Sequence, residues 1–125
     1  MNEISASLPR NFLRPCLLLL LGEQSAHGYD LMEQLPELGV PHTDPGGLYR
    51  TLRAMEQEGL VSSWWEPSAS GPSRRTYTVT EEGRDWLHAW AGSLREVERV
   101  LRRFDARYER AAADAGRDAI PGPRT

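Results

Sequence analysis

Lysine is absent from this 125-residue chain, and cysteine nearly so. The single thiol, Cys16, excludes an intrachain disulfide framework, leaves too few sulfur ligands for a zinc finger, and fits a reducing cytoplasm. It precedes five leucines and reads as a small buried hydrophobe. Long apolar runs are missing too. Cys16 to Leu21 follows Arg10 and Arg14 in the manner of a secretory leader, but it is shorter than a leader's apolar region and far short of the ~20 residues that cross a bilayer. No membrane partner is expected. His27 lies near Asp30 with no third ligand placed by spacing, so neither a metal nor another cofactor is expected. The chain also lacks a nucleophile with its base, paired carboxylates in an apolar setting and a phosphate loop, which argues against an enzyme.

Charge is sparse in two places that matter. The net charge of -3 and pI near 5.6 argue against a protein that coats nucleic acid, although a specific binder can carry a basic face on an acidic body. Between Pro45 and Met55 the only charged residues are Arg50 and Arg53, and between Pro67 and Thr80 they are Arg74 and Arg75. All 15 basic residues are arginine, which suits bidentate contacts to phosphate or guanine but equally reflects a compositional bias, and carries no weight here. Asp44 can cap a helix with Pro45 in its first turn, and Leu48, Leu52 and Met55 then share one buried face. Gly59 stops it. Tyr49, Arg50 and Arg53 face outward, and Gly46 and Gly47 leave the helix start open to a large anionic ligand. These are the properties of a recognition helix; an amphipathic helix with solvated arginines is the plainer alternative.

The rest of the chain is arranged around that helix. Residues 1–8 show no periodicity and read as a flexible arm. Residues 9–22 read as a helix apolar on nearly every side, and Leu17 and Leu20 are therefore assigned to a dimer contact as well as to the domain. A second helix starts near His27 or Gly28, carries Tyr29, Leu31, Met32 and Leu35, and is broken by Pro36 and Gly39, so a short turn joins it to the third as in a helix-turn-helix. Residues 60–65 and 74–79 read as strands around a flexible polar loop at 67–73. This hairpin would be the wing of a winged helix. Thr80 caps a final helix, with Glu81 and Glu82 suiting its dipole. Within it Leu87, Trp90, Leu94, Val97, Leu101, Phe104, Tyr108 and Ala111 are spaced alternately by 3 and 4, a heptad seam on a helix roughly 50 Å long at about 1.5 Å per residue. So long a helix in so small a chain calls for a second copy. The fold class is thus mainly α with a small β-hairpin: a winged helix-turn-helix over 9–80, a dimerisation helix over 81–115 and a disordered tail over 116–125.

Three stretches, in order, carry a family resemblance. They are His27-Gly28-Tyr29-Asp30-Leu31, then Pro45 to Leu52 with Glu58-Gly59-Leu60-Val61, then Arg74 to Arg84 through Thr76-Tyr77-Thr78-Val79-Thr80-Glu81-Glu82-Gly83. Together they resemble the PadR family of bacterial transcriptional regulators, in its short form with one long C-terminal helix. The resemblance implies a dimeric repressor in the cytoplasm that sits on a palindromic double-stranded DNA operator and is released by a small molecule. It implies that Tyr49, Arg50 and Arg53 face the major groove or its phosphates, beside the open helix start at Gly46 and Gly47, that Arg74 and Arg75 set the wing on the adjacent backbone, and that Tyr29 supports the helix-turn-helix. It further implies a small aromatic effector between subunits, at Trp86 and Trp90, while the heptad spacing itself assigns Leu87, Leu94, Val97, Leu101 and Phe104 to the dimer seam. Two departures stand out. Gly47 replaces the more usual Thr or Ser, and Asp44 a common Ser, so operator sequence does not carry over. The alternative reading is an interaction module whose winged helix has lost DNA binding, against which the four retained arginines argue.

Overall fold

The computed structural model describes residues 11–40, 43–69 and 71–116. The arm at 1–8 and all of the expected tail except Gly116 lie outside them. The chain runs α1 (Leu13–Glu23), β1 (Ala26–His27), α2 (Gly28–Gln34), a 3-10 turn (Leu35–Leu38), α3 (Pro45–Gln57), β2 (Val61–Ser68), β3 (Gly71–Val79) and α4 (Glu81–Asp114). It divides into two compact units, Met1–Ala89 and Trp90–Thr125. The first contains the whole winged helix and the start of α4.

One apolar cluster builds that unit. Leu17, Leu18 and Leu21 of α1, Leu31 and Leu35 from the second helix region, Leu48, Leu52 and Met55 of α3 and Val61 of β2 are all essentially sealed from solvent. Each such side chain contributes about 1.5–3 kcal/mol on burial, so the cluster is what orients α3. Its composition corrects the reading of α1. Leu17 is 0% and Leu20 7% exposed within the single chain, because α1 packs against α2, the 3-10 turn and β3 at once. Both leucines are thus covered by their own domain; of the leucine run only Leu19 is exposed. The run is apolar all round because its own domain surrounds it.

The sheet is three-stranded, in the order β1-β3-β2, and antiparallel throughout. Residue pairs run from Val61↔Val79 through Trp65↔Arg75 and Glu66↔Arg74 to Ser68↔Gly71. The strands thus extend well into the stretch read as a flexible loop. Pro67 is accommodated because the register shifts between Glu66 and Ser68, where no ladder N–H is needed from it. The third strand was not expected: Ala26 and His27 pair with Tyr77 and Thr76, where the sequence reads as a turn. Between α2 and α3 the short turn is longer than anticipated, taking in the 3-10 turn and Gly39 at φ +90°.

α3 ends at Gln57, two residues before Gly59 at φ +82°, and Thr80 caps α4 as expected. The Thr80 hydroxyl accepts from the Gly83 amide at 3.0 Å and donates to the Gly59 carbonyl at 2.6 Å, joining the end of α3 to the start of α4. Gly83 is the only buried residue of α4, and a Cβ there would stand 2.8 Å from Val79 Cγ2 and nearer still to the Leu60 carbonyl oxygen. Trp86 and Leu87 are partly buried and pack on the core cluster. Farther along, Val97, Val100, Leu101 and Phe104 are 50–71% exposed. No helix among the described residues is long and apolar enough to cross a membrane.

Candidate nucleic-acid interface

The outer face of α3 is presented by its own first turn. Asp44 accepts from the Gly47 amide at 3.0 Å, satisfying one of the donors a helix start leaves unpaired, and Thr51 donates to the Gly47 carbonyl at 2.9 Å. Gly46 and Gly47 are not left as bare as their composition indicates. A Cβ on Gly47 would lie 2.9 Å from Asp44 Oδ1, and one on Gly46 3.3 Å from Arg50 Nη1, so the Asp44 carboxylate and the Arg50 guanidinium cover the turn.

Tyr49, Arg50 and Arg53 are all exposed, as their spacing predicts. Tyr49 is steered by Gly28, where a Cβ would stand 2.6 Å from Tyr49 Cε1 and Cζ; the glycine lets the ring lie across the start of α2. Tyr29 departs from its expected supporting role. It is 64% exposed, while Leu31 two residues on is buried, and a hydrogen bond to Glu33 pushes its hydroxyl pKa up. Tyr29, Tyr49, Arg53, Trp65 and Tyr77 line a cleft of about 560 Å³ bounded by α2, α3 and the hairpin. Tyr77 forms its buried floor, where desolvation raises the phenol pKa.

The two wing arginines border the same cleft but are held differently. Neighbours in a strand point to opposite faces, and here they have different partners. Arg75 turns toward α3: its Nε donates to Ser63 Oγ at 2.9 Å, its Nη2 lies 4.0 Å from Glu56 Oε2, and its guanidinium sits 5.1 Å from the Trp65 ring centre. Ser63 in turn donates to Glu56 at 2.9 Å. Arg74 lies opposite Glu66, is exposed, and forms no salt bridge among the described residues. Glu66 accepts from Thr76 at 2.6 Å and faces His27 Nε2 at 3.2 Å, and those two contacts, with Arg74 nearby, hold its carboxyl below the usual carboxylate range. His27 Nδ1 is 3.3 Å from Asp30 Oδ2, so His27 ties α2 to the hairpin. At the other end of α3, Glu58 takes a bidentate pair from Arg14 of α1, both bonds at 2.7 Å.

Sequence reasoning missed Glu56, Ser63, Glu66 and Thr76 because none belongs to an obvious patch; only the strand register brings them together. Trp86 packs partly on the core, which leaves less of it for a ligand than expected, and Trp90 is half-buried. Leu87 likewise divides between core and surface, and Leu94 is half-buried.

Three helices, a hairpin wing and an arginine-bearing third helix define a winged helix-turn-helix. Residues 17–89 match the model of the transcriptional regulator PadR-like family, and the chain belongs to that family. Its members are transcription regulators rather than enzymes. The chain is similar to a PadR family transcription regulator from hypervirulent Clostridium difficile, with 25% identity, a TM-score of 0.68, and coverage of 75% of this chain and 98% of that one. A PadR-like transcriptional regulator from Bacillus cereus is 26% identical with a TM-score of 0.66, over 74% of this chain and 89% of its own. Bacillus subtilis PadR, solved in complex with operator DNA, is 26% identical with a TM-score of 0.60, over 66% of this chain and 48% of that longer one. Among curated proteins none matches.

Proposed function

We propose that this chain is a dimeric repressor acting in the cytoplasm, which reads a palindromic operator with α3 and steadies itself through the hairpin. The observation that carries the reading is the exposed face of Tyr49, Arg50 and Arg53, on a helix whose opposite side is locked into the core by Leu48, Leu52 and Met55. A rigidly held cationic helix face is what base and phosphate contacts require, and the operator complex of the Bacillus subtilis relative supports the same use here. The seam of Val97, Leu101 and Phe104 would join two copies, placing two α3 helices on half-sites about 34 Å apart, one DNA turn. A planar aromatic effector at Trp90 would act by favouring a subunit arrangement that no longer matches that spacing.

Binding to a duplex carrying the protein's own upstream intergenic region tests the reading. Arg50→Ala and Arg53→Ala should each cost about 1–3 kcal/mol, with relaxed preference at one position per half-site for any arginine that reads a base. Undiminished binding by the double variant would sink the proposal. For the effector, planar aromatic compounds should quench tryptophan fluorescence and weaken the complex, and Trp90→Ala should abolish both effects; an effector that works equally well on that variant binds elsewhere.

A further inference from the structure

We infer that Trp65 is a DNA-contacting residue of the wing, and that Arg75 is the residue that positions it. The inference rests on the DNA-binding reading above and deepens it. Trp65 leaves 62% of its surface in water although it stands on a strand whose partner is central to the sheet. Its position is fixed. Arg75, directly across the ladder, places its guanidinium 5.1 Å from the indole centre, and that guanidinium is itself held by Ser63 and, more distantly, by Glu56 of α3. Glu56, Ser63, Arg75 and Trp65 therefore form one chain of contacts from the recognition helix to the wing surface. A side chain braced so thoroughly, yet left exposed, is prepared for a partner.

The surroundings identify the partner as a polyanion. Trp65 shares its cleft with Tyr49 and Arg53 of α3 and with Arg74; its one carboxylate, Glu56, already accepts from Ser63 and faces Arg75. The aromatic lining of Tyr29, Tyr49, Trp65 and Tyr77 is bordered by Arg53, Arg74 and Arg75, cations that a purely apolar protein surface would bury without partners. A DNA strand supplies sugar carbons for the indole face and phosphate oxygens for its N–H, beside arginines that neutralise the charge. Arg75 takes a different part from Arg74. Its guanidinium is committed to Ser63, Glu56 and the indole, so it holds the wing at a set angle to α3 and does not neutralise a phosphate.

Operator titrations at several salt concentrations, using the upstream intergenic duplex, separate these roles. Trp65→Ala should lower affinity by about tenfold or more with an unchanged salt slope, and Trp65→Phe should recover part of it. Arg74→Gln should flatten the salt slope by about one unit per subunit. Arg75→Gln should lower affinity without changing the slope and should alter the Trp65 emission of the DNA-free protein, seen as the difference from the same variant carrying Trp65→Phe. Trp65→Ala binding like wild type overturns the contact, and Arg75→Gln flattening the slope while leaving the Trp65 emission unchanged overturns the brace. Trp65→Ala dissociating a dimer in sedimentation shows that a second copy covers the indole instead. Wild-type protein that binds no duplex at all overturns the DNA reading itself, a result distinct from the others.

Discussion

Replacing Gly83 by alanine should unfold the winged helix at a lower temperature, although glycine-to-alanine changes within helices normally stabilise. The usual gain is about 1 kcal/mol, because glycine loses more backbone freedom on entering a helix. At Gly83 the added methyl would stand 2.8 Å from Val79 Cγ2 and 3.1 Å from the Leu60 carbonyl carbon, with that carbonyl's oxygen closer still. Two of these three atoms are backbone, so the first turn of α4 must move. Overpacking of this kind costs about 1–3 kcal/mol. Movement also strains the Thr80 hydroxyl that bridges the Gly83 amide and the Gly59 carbonyl, and losing a cap costs about 1 kcal/mol more. The net loss is therefore about 1–3 kcal/mol. At about 4–8 °C per kcal/mol for a domain of this size, the melting temperature should fall by roughly 5–20 °C. Gly92 supplies the control on the same helix, since it is exposed and nothing lies within 4 Å of its added methyl. Circular dichroism melts should move down for Gly83→Ala and up for Gly92→Ala. An upward shift at Gly83 would refute the close packing of α4 on the hairpin base.

Other outcomes follow from the charged and thiol groups. Glu58 is lowered by the hydrogen bonds from Arg14, and Glu66 by those from Thr76 and His27, so both stabilise the fold above the ordinary carboxylate pKa of 4.5 and cease to as pH falls through their depressed values. Stability measured by urea unfolding should accordingly decline below about pH 4.5, and less steeply in Glu58→Gln. The Tyr77 phenol is raised by burial, so its contribution runs the other way, present below 10 and lost as pH rises through its elevated value. Cys16 is 3% exposed and its thiol pKa is raised by desolvation, so it should resist thiol reagents in native protein and react on unfolding; fast native labelling would contradict its place in the core.

How far the fold can be read from sequence depends on how local the deciding contacts are. α3 is legible because its cap, its first proline, its apolar face and its stop all lie within sixteen consecutive residues, and α4 because a heptad pattern needs no partner to be seen. β1 was invisible: two residues, Ala26 and His27, carry no alternation, and their strand character comes from Thr76 and Tyr77, about fifty residues away. At the hairpin tip proline, serine and glycine signal a loop, whereas a register shift at Pro67 lets the ladder continue to Ser68 and Gly71. α1 shows a third difficulty. Apolarity on all sides says that a helix is surrounded but not by which chain, and Leu17 and Leu20, which the pattern offers to a dimer contact, are enclosed by their own domain. The arginine pair at 74 and 75 was legible as charge and illegible as geometry, since only the alternation of β3 sends one to Glu66 and the other to Ser63.

The same ambiguity about which chain does the covering runs along α4, and thermal unfolding can resolve it. The spacing of three and four is uninterrupted from Leu87 to Phe104, yet Leu87 packs on the core cluster whereas Leu101 and Phe104 are 60% and 71% exposed in the single chain. A stripe of one periodicity thus packs on the core at its start and carries exposed Leu101 and Phe104 near its end. If a second copy covers the later part, Val97, Leu101 and Phe104 each regain the remaining half to two thirds of the 1.5–3 kcal/mol that full burial provides. That is about 3–5 kcal/mol per chain and about 6–10 for the pair, enough to offset much of the several kcal/mol that association costs. Leu87→Ala should then lower the melting temperature by the same amount at every protein concentration, because it leaves a defect within one subunit. Leu101→Glu with Phe104→Glu should instead yield a monomer in sedimentation, with a winged helix that still folds and a melting temperature independent of concentration, whereas the wild type melts higher as concentration rises. A double variant that sediments as the wild type does would place the dimer contact off this seam.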